Sequence, residues 1–201
     1  MDTMLITENK PEVWQPIACL NWPEDYPYAP DVRFRMWHSG TLLFIEFRVE
    51  EETTKAEQTV PGGPVYRDSC VECFIQPDGE DPHYYNFEWN AAGRLAMACR
   101  TGRHDPDPAP LCILEGVEAI PSLGSEPFSE RKVGPWTLEV AIPATALFRS
   151  GVDSWSGRTM KMNLYKCGDG LKTPHYLTWA PVRTESPDYH RPEFFVPVTF
   201  E

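Results

Sequence analysis

The chain has 201 residues, long enough to bury a sizeable core without disulfides or metals. Its formal net charge is −12 and no basic stripe interrupts that balance, which excludes general binding to a phosphate backbone and favours a neutral ligand or a bound cation. No apolar run approaches the roughly 20 residues of a membrane span. The opening MDTMLITENKPEVW lacks the basic and apolar regions of a signal peptide, so the expected location is cytoplasmic as the chain stands, or extracellular or periplasmic if a leader was removed.

In chain order, VRFRMWH at 32–38 alternates apolar with charged residues and predicts a strand. His38-Ser39-Gly40 turns it into a second strand, TLLFIEFRVE, with Thr41, Leu43, Ile45, Phe47 and Val49 on one face. The polar stretch 50–64, ending VPGGP, reads as a long loop. VYRDSCVECFIQ becomes a strand in its second half. YYNFEWN at 84–90 sends Tyr85, Phe87 and Trp89 one way and Tyr84, Asn86, Glu88 and Asn90 the other. After an AAGR turn, LAMAC is a further strand. DPDPAP at 105–110 reads as a loop, because proline has no N–H to donate. WTLEVAIP at 136–143 points Leu138, Val140 and Ile142 inward, PATALF makes one short helical turn, and MKMNLYKC at 160–167 sets Met160, Met162 and Leu164 on one face. A last strand lies around Val198 and Phe200. Nine or ten short strands with no helical pattern predict an all-β antiparallel sandwich, jelly-roll-like, with residues 1–201 forming a single domain.

Six cysteines without a signal peptide read mostly as free, buried thiols. Cys70 and Cys73 form a CxxC, but strand alternation sends the two sulfurs to opposite faces, which argues against a zinc knuckle or redox pair. The histidines make no HxH, HxxxH or HExxH, and GxSxG is absent. His175 and His190 lie in aromatic, proline-rich loops. Glu72 and Glu88 sit mid-strand at polar positions. They suit the paired carboxylates of a glycoside hydrolase, or hydrogen bonding to a ligand, or pairing with Arg67, Lys161 or Arg94. The acidic loops at 79–81 and 105–107 offer oxygen ligands for calcium. Tyr66, Tyr176, Trp179 and Tyr189 lie beside polar residues in loop-like or strand-end segments, the composition that stacks on sugar rings while polar neighbours bind hydroxyls.

VYRDSCVECFIQPDGEDPHYYNFEWNAAGRL resembles the central motif of family 9 carbohydrate-binding modules, an aromatic-x-Asp-[Asp/Ser]-x-Val-Glu run leading to a strand that ends in Asn-x-x-Gly. The closing WAPVRTESPDYHRPEFFVPVTF resembles that family's final segment. The likeness implies a β-sandwich that is non-catalytic, associated with xylan-degrading enzymes, and often stabilised by calcium. It implies an oligosaccharide or polysaccharide partner whose end is clamped between two aromatic rings. Carried over by position, Tyr66 is the first clamp ring, Trp179 the second, Glu72 the sugar-binding glutamate and Asn90 the asparagine before the turn glycine. Glu88 stands where sugar-binding members have arginine, a reversed charge. Two other readings are a xylanase-like hydrolase using Glu72 and Glu88, and a haem-binding sandwich with Met160 or Met162 as axial ligands.

Overall fold

The computed structural model of the chain describes residues 3–201. It begins with β1 (Met4–Ile6) and the two-residue β2 (Gln15–Pro16), then the hairpin β3 (Asp31–His38) and β4 (Leu42–Glu50). A short β5 (Thr54–Ala56) precedes the meander β6 (Cys70–Gln76), β7 (Tyr84–Asn90) and β8 (Leu95–Arg100), which β9 (Asp107–Pro108) extends. After the α-helix α1 (Leu111–Gly116) come β10 (Glu118–Pro121), β11 (Phe128–Arg131), β12 (Trp136–Pro143), β13 (Thr159–Cys167), β14 (Tyr176–Thr178) and β15 (Val196–Phe200). The larger sheet runs β1-β15-β13-β6-β7-β8-β9, with β14 also on β13; the smaller runs β10-β12-β4-β3-β2; β5 and β11 pair separately. All neighbours are antiparallel except β1 and β15. The chain is therefore the all-β sandwich that its alternating strands predict.

The two sheets face each other across one apolar core. Leu43, Ile45, Phe47, Leu138 and Val140 of the smaller sheet meet Val71, Cys73, Phe87, Trp89, Met162 and Leu164 of the larger. Phe47 and Trp89 approach to 6.4 Å between ring centroids across that seam. Met160 and Met162 are packed in this core. The outer face of the smaller sheet is charged and wet: Arg35 and Lys10 both pair with Glu46, at 2.7 and 3.0 Å.

The larger sheet differs, because β6 and β7 are buried along their whole length. Their second face carries Cys70, Phe74 and Tyr84, joined by Tyr165 and Cys167 of β13. Trp22, Val182, Tyr189 and Phe195, from connecting segments, cover part of it. Two loop expectations need correction. Thr54 and Ala56 within 50–64 turn inward on β5, a strand too short for periodicity to reveal. Pro108 pairs at the sheet edge, where its missing N–H costs nothing, while the Ala109 N–H donates to the Met97 carbonyl at 3.0 Å.

An ionic cluster is buried at one end of β13. The Lys166 ammonium lies 2.9 Å from the Glu51 carboxylate and donates to His175 Nε2 at 2.7 Å. The other His175 ring nitrogen, Nδ1, carries the proton and donates to the Thr173 carbonyl at 3.0 Å. Trp136 Nε1–H donates to the second Glu51 oxygen at 3.0 Å. Burial alone would raise the Glu51 pKa, but the opposing interactions, led by the Lys166 charge, outweigh it and hold the group at about 2. The resulting stabilisation is complete above the ordinary carboxylate value of 4.5 and is lost as pH falls toward 2. Glu51→Gln leaves a buried ammonium without its counter-charge, a loss of about 3–5 kcal/mol. Urea unfolding should record that loss near neutral pH and a shrinking difference from wild type in acid.

Candidate functional site

A cleft of about 540 Å³ opens on the second face of the larger sheet. The strand alternation builds its floor. Glu72 of β6 lies directly across from Glu88 of β7, and Glu88 from Ala96 of β8. Asn86, two residues before Glu88, shares its face, and Ala96 and Ala98 leave room above the sheet. The walls are the short 3₁₀ turn Val65–Arg67 carrying Tyr66, the Cys167–Asp169 turn with Tyr176, the 187–190 segment, and the segment after Arg100.

The floor groups form a hydrogen-bonded chain. Arg100 Nε–H donates to Asn86 Oδ1 at 2.8 Å, and Asn86 Nδ2–H donates to Glu88 Oε1 at 2.8 Å. Glu72 Oε1 instead accepts from the thiols of Cys167, at 3.1 Å, and Cys70, at 3.8 Å. Burial pushes Glu72 well above the ordinary carboxylate range, and the facing Glu88 carboxylate adds to this. Burial also raises Glu88, opposed by the Asn86 hydrogen bond and the Arg100 charge. Arg67, Lys161 and Arg94, the partners expected from sequence, make no ion pair with either glutamate among the described residues; Arg100, acting through Asn86, takes that place.

Tyr66 is 38% exposed at the cleft edge and is held by backbone contacts. Its carbonyl accepts from the Asp169 N–H at 3.2 Å, and its neighbour Asp68 is fully buried. Asp68 Oδ2 accepts from the Gln58 N–H at 2.8 Å and from Asn90 Nδ2–H at 2.9 Å. Asn90 Oδ1 in turn accepts from the N–H groups of Ala92 and Arg94. Asn90 thus ties the turn after β7 to the segment that presents Tyr66 and does not line the cleft. Gly170 packs against the same segment: a Cβ there would lie 2.5 Å from the Arg67 carbonyl oxygen, so the approach tolerates only glycine.

Trp179 also lies away from the cleft. It packs against the inter-sheet core with its ring 5.4 Å from Phe34, edge to face. Tyr176, three residues earlier, lines the cleft instead, as does Asp169. Tyr189 is a buried wall: its ring stacks on Tyr165 at 4.1 Å and its hydroxyl donates to the Lys166 carbonyl at 2.9 Å. Of the residues singled out in the sequence, the structure gathers Tyr66, Glu72, Glu88, Tyr176, Tyr189 and His190 at one cleft, places Asn90 behind it and Trp179 elsewhere. Asn86, Arg100 and Asp169 join them in the lining.

Carboxylates of the acidic loops have protein partners in this structure. Asp81 pairs with His83, Asp105 with Thr101, and Asp107 with Arg149. Among the described residues the one group of three metal-type side chains is Cys70, Glu72 and Cys167.

Comparison with known proteins follows the same lines. The family model of carbohydrate-binding family 9 matches residues 1–200. A candidate carbohydrate-binding protein from Bacteroides uniformis ATCC 8492, known from its crystal structure, is 38% identical, with a TM-score of 0.90 over 99% of this chain and 97% of its own. Two structures of a family 9 carbohydrate-binding module from Caldicellulosiruptor kristjanssonii share the fold at a TM-score of 0.63. The complex with cellotriose is 9% identical and covers 100% of this chain and 94% of that one; the complex with glucose is 10% identical and covers 100% and 96%. No curated protein sequence matches the chain.

His190 supplies a pH signature for this region. Its ring lies beside Tyr84, with the hydroxyl 3.0 Å from Nδ1. Burial and then the charges of Arg100, Arg103 and His104 depress its pKa to about 3, against a smaller opposing pull from Asp105. The unfolded chain takes up a proton on this ring below about pH 6.5 and the folded chain does not, so stability should fall in acid by up to about 1.4 kcal/mol per pH unit from this group. Chemical unfolding of His190→Gln between pH 7 and 4 should give a correspondingly flatter slope than wild type; parallel slopes would contradict the assignment.

Proposed function

The chain belongs to carbohydrate-binding family 9, and from that premise we propose that the cleft over β6, β7 and β13 binds the end of a neutral, plant-type oligosaccharide or polysaccharide without turning it over. The observation that carries this reading is the floor: Glu72, Asn86 and Glu88 present side-chain oxygens and an amide on one buried face, under aromatic walls. Sugar hydroxyls donate and accept in turn, and a row of fixed polar groups matches them while Tyr66 and Tyr176 cover apolar ring faces. The volume falls within the roughly 300–1,000 Å³ of small-molecule sites. The family 9 module from C. kristjanssonii, caught with cellotriose and with glucose, supports gluco-configured ligands as the first class to test.

Glu88 departs from the arginine of sugar-binding relatives, yet the cleft keeps a cation. Asn86 relays the Arg100 guanidinium to Glu88, so hydroxyls meet a hydrogen-bonded chain that ends in positive charge. Trp179 is not part of this proposal; Tyr176 takes the second clamp position.

Calorimetric titration against glucose and cello-, xylo- and manno-oligosaccharides should give binding in about the micromolar to millimolar range, with no release of reducing ends. Tyr66→Ala and Tyr176→Ala should each weaken the best ligand about 10-fold or more, about 1.4 kcal/mol. Trp179→Ala should lower the unfolding midpoint and leave the affinity of the folded protein in place. A panel with no binder, or a Tyr66→Ala protein with wild-type affinity, would overturn the reading.

A further inference from the structure

We infer that Cys70, Glu72 and Cys167 form a binding site for a thiophilic divalent cation of the zinc class, set into the cleft floor. Cys70 and Cys167 are directly opposite each other on β6 and β13, and Glu72 follows Cys70 on the same face of the sheet. The two sulfurs and one carboxylate oxygen all lie within 4.8 Å of one another. The Cys167 sulfur is 3.1 Å from the Glu72 oxygen and the Cys70 sulfur 3.8 Å. Tetrahedral zinc, with bonds of about 2.3 Å to sulfur and about 2.0–2.2 Å to oxygen, places its ligand atoms about 3.3–3.8 Å apart. Shifts of less than about 1 Å therefore close the site, and both strands hold their ligands without help from a mobile loop.

Chemistry favours a cation over a purely structural arrangement. Glu72 is nine-tenths or more buried, and its only side-chain hydrogen-bond partners among the described residues are two thiols, which are weak donors. A serine or threonine at either position would satisfy a buried carboxyl better, whereas two thiolates and a carboxylate are a zinc donor set. Cys167 and Glu72 line the cleft, so the site has an entry path from solvent and an open fourth position. Asp169 lines the cleft beside Cys167. Binding leaves the metal's oxidation state unchanged. The two thiol protons pass to solvent, each replaced by a metal–sulfur bond. Cys73, on the same strand, faces the opposite side and contributes nothing.

The site shares Glu72 with the floor proposed for sugar, and it is tested without sugar. Reduced, chelator-stripped protein titrated with Co²⁺ should bind one equivalent and develop thiolate-to-metal charge-transfer absorption and tetrahedral d–d bands, both erased by Zn²⁺. Loss of a group outside the ligand set costs a zinc site about 10–100-fold, so Cys70→Ser and Cys167→Ser should each weaken binding about 100-fold or more. Cys112→Ser, which removes the exposed thiol, should change nothing. Glu72→Gln keeps both sulfurs and should retain the charge-transfer band at reduced affinity, a reading that holds even if a cysteine variant fails to fold. Absence of the thiolate band in folded protein, or Co²⁺ binding that survives Cys167→Ser, would overturn the proposal.

Discussion

Burial of the larger sheet on both faces is the constraint on which the rest of the molecule depends. A strand with one face in water can place any polar residue outward at no cost. β6, β7 and β13 cannot, because their outward residues lie under Trp22, Val182, Tyr189 and Phe195. Each polar side chain on that face must therefore find a partner or a ligand. Asn86 does so with Arg100 and Glu88, and Glu72 with two thiols. Where cover is missing, over Ala96 and Ala98, the same face opens as a cleft whose floor is already polar and already held in place.

The walls follow from the same economy of anchors. Asp68 and Asn90 fix the segment bearing Tyr66 to the end of β7, and the Asp169 N–H fixes it to the turn after β13. Gly170 allows those two segments to touch through backbone alone. On the far side of β13, Lys166 occupies the alternate position and meets Glu51 and His175 from neighbouring segments, so one strand carries an ion cluster on one face and cleft chemistry on the other. A change in either cluster should be felt by the other through the backbone of Lys166 and Cys167.

Much of this was legible in the sequence where alternation ran long enough. YYNFEWN assigns Asn86 and Glu88 to one face and Tyr85, Phe87 and Trp89 to the other, and the structure keeps both sets. The same rule separates Cys70 from Cys73. β14 has three residues, too few to announce a period, so alternation does not assign a face to Trp179. Its register, Tyr176 opposite Cys167 and Thr178 opposite Tyr165, turns Tyr176 toward the cleft and Trp179 toward the core. Asn90 was placed on the correct face but lies at the strand end, where the turn claims its side chain. Arg100 and Asp169 carried no local signal; only the pairing of β7 with β8 and the fold-back after β13 bring them to the cleft.

The most direct test is a crystal structure of the protein with cellotriose. The account predicts density for a terminal sugar ring over Glu72, Asn86 and Glu88, beside Tyr66 and Tyr176. Density instead on the outer face of the smaller sheet, against the stacked pair Trp37 and Phe44, would contradict it.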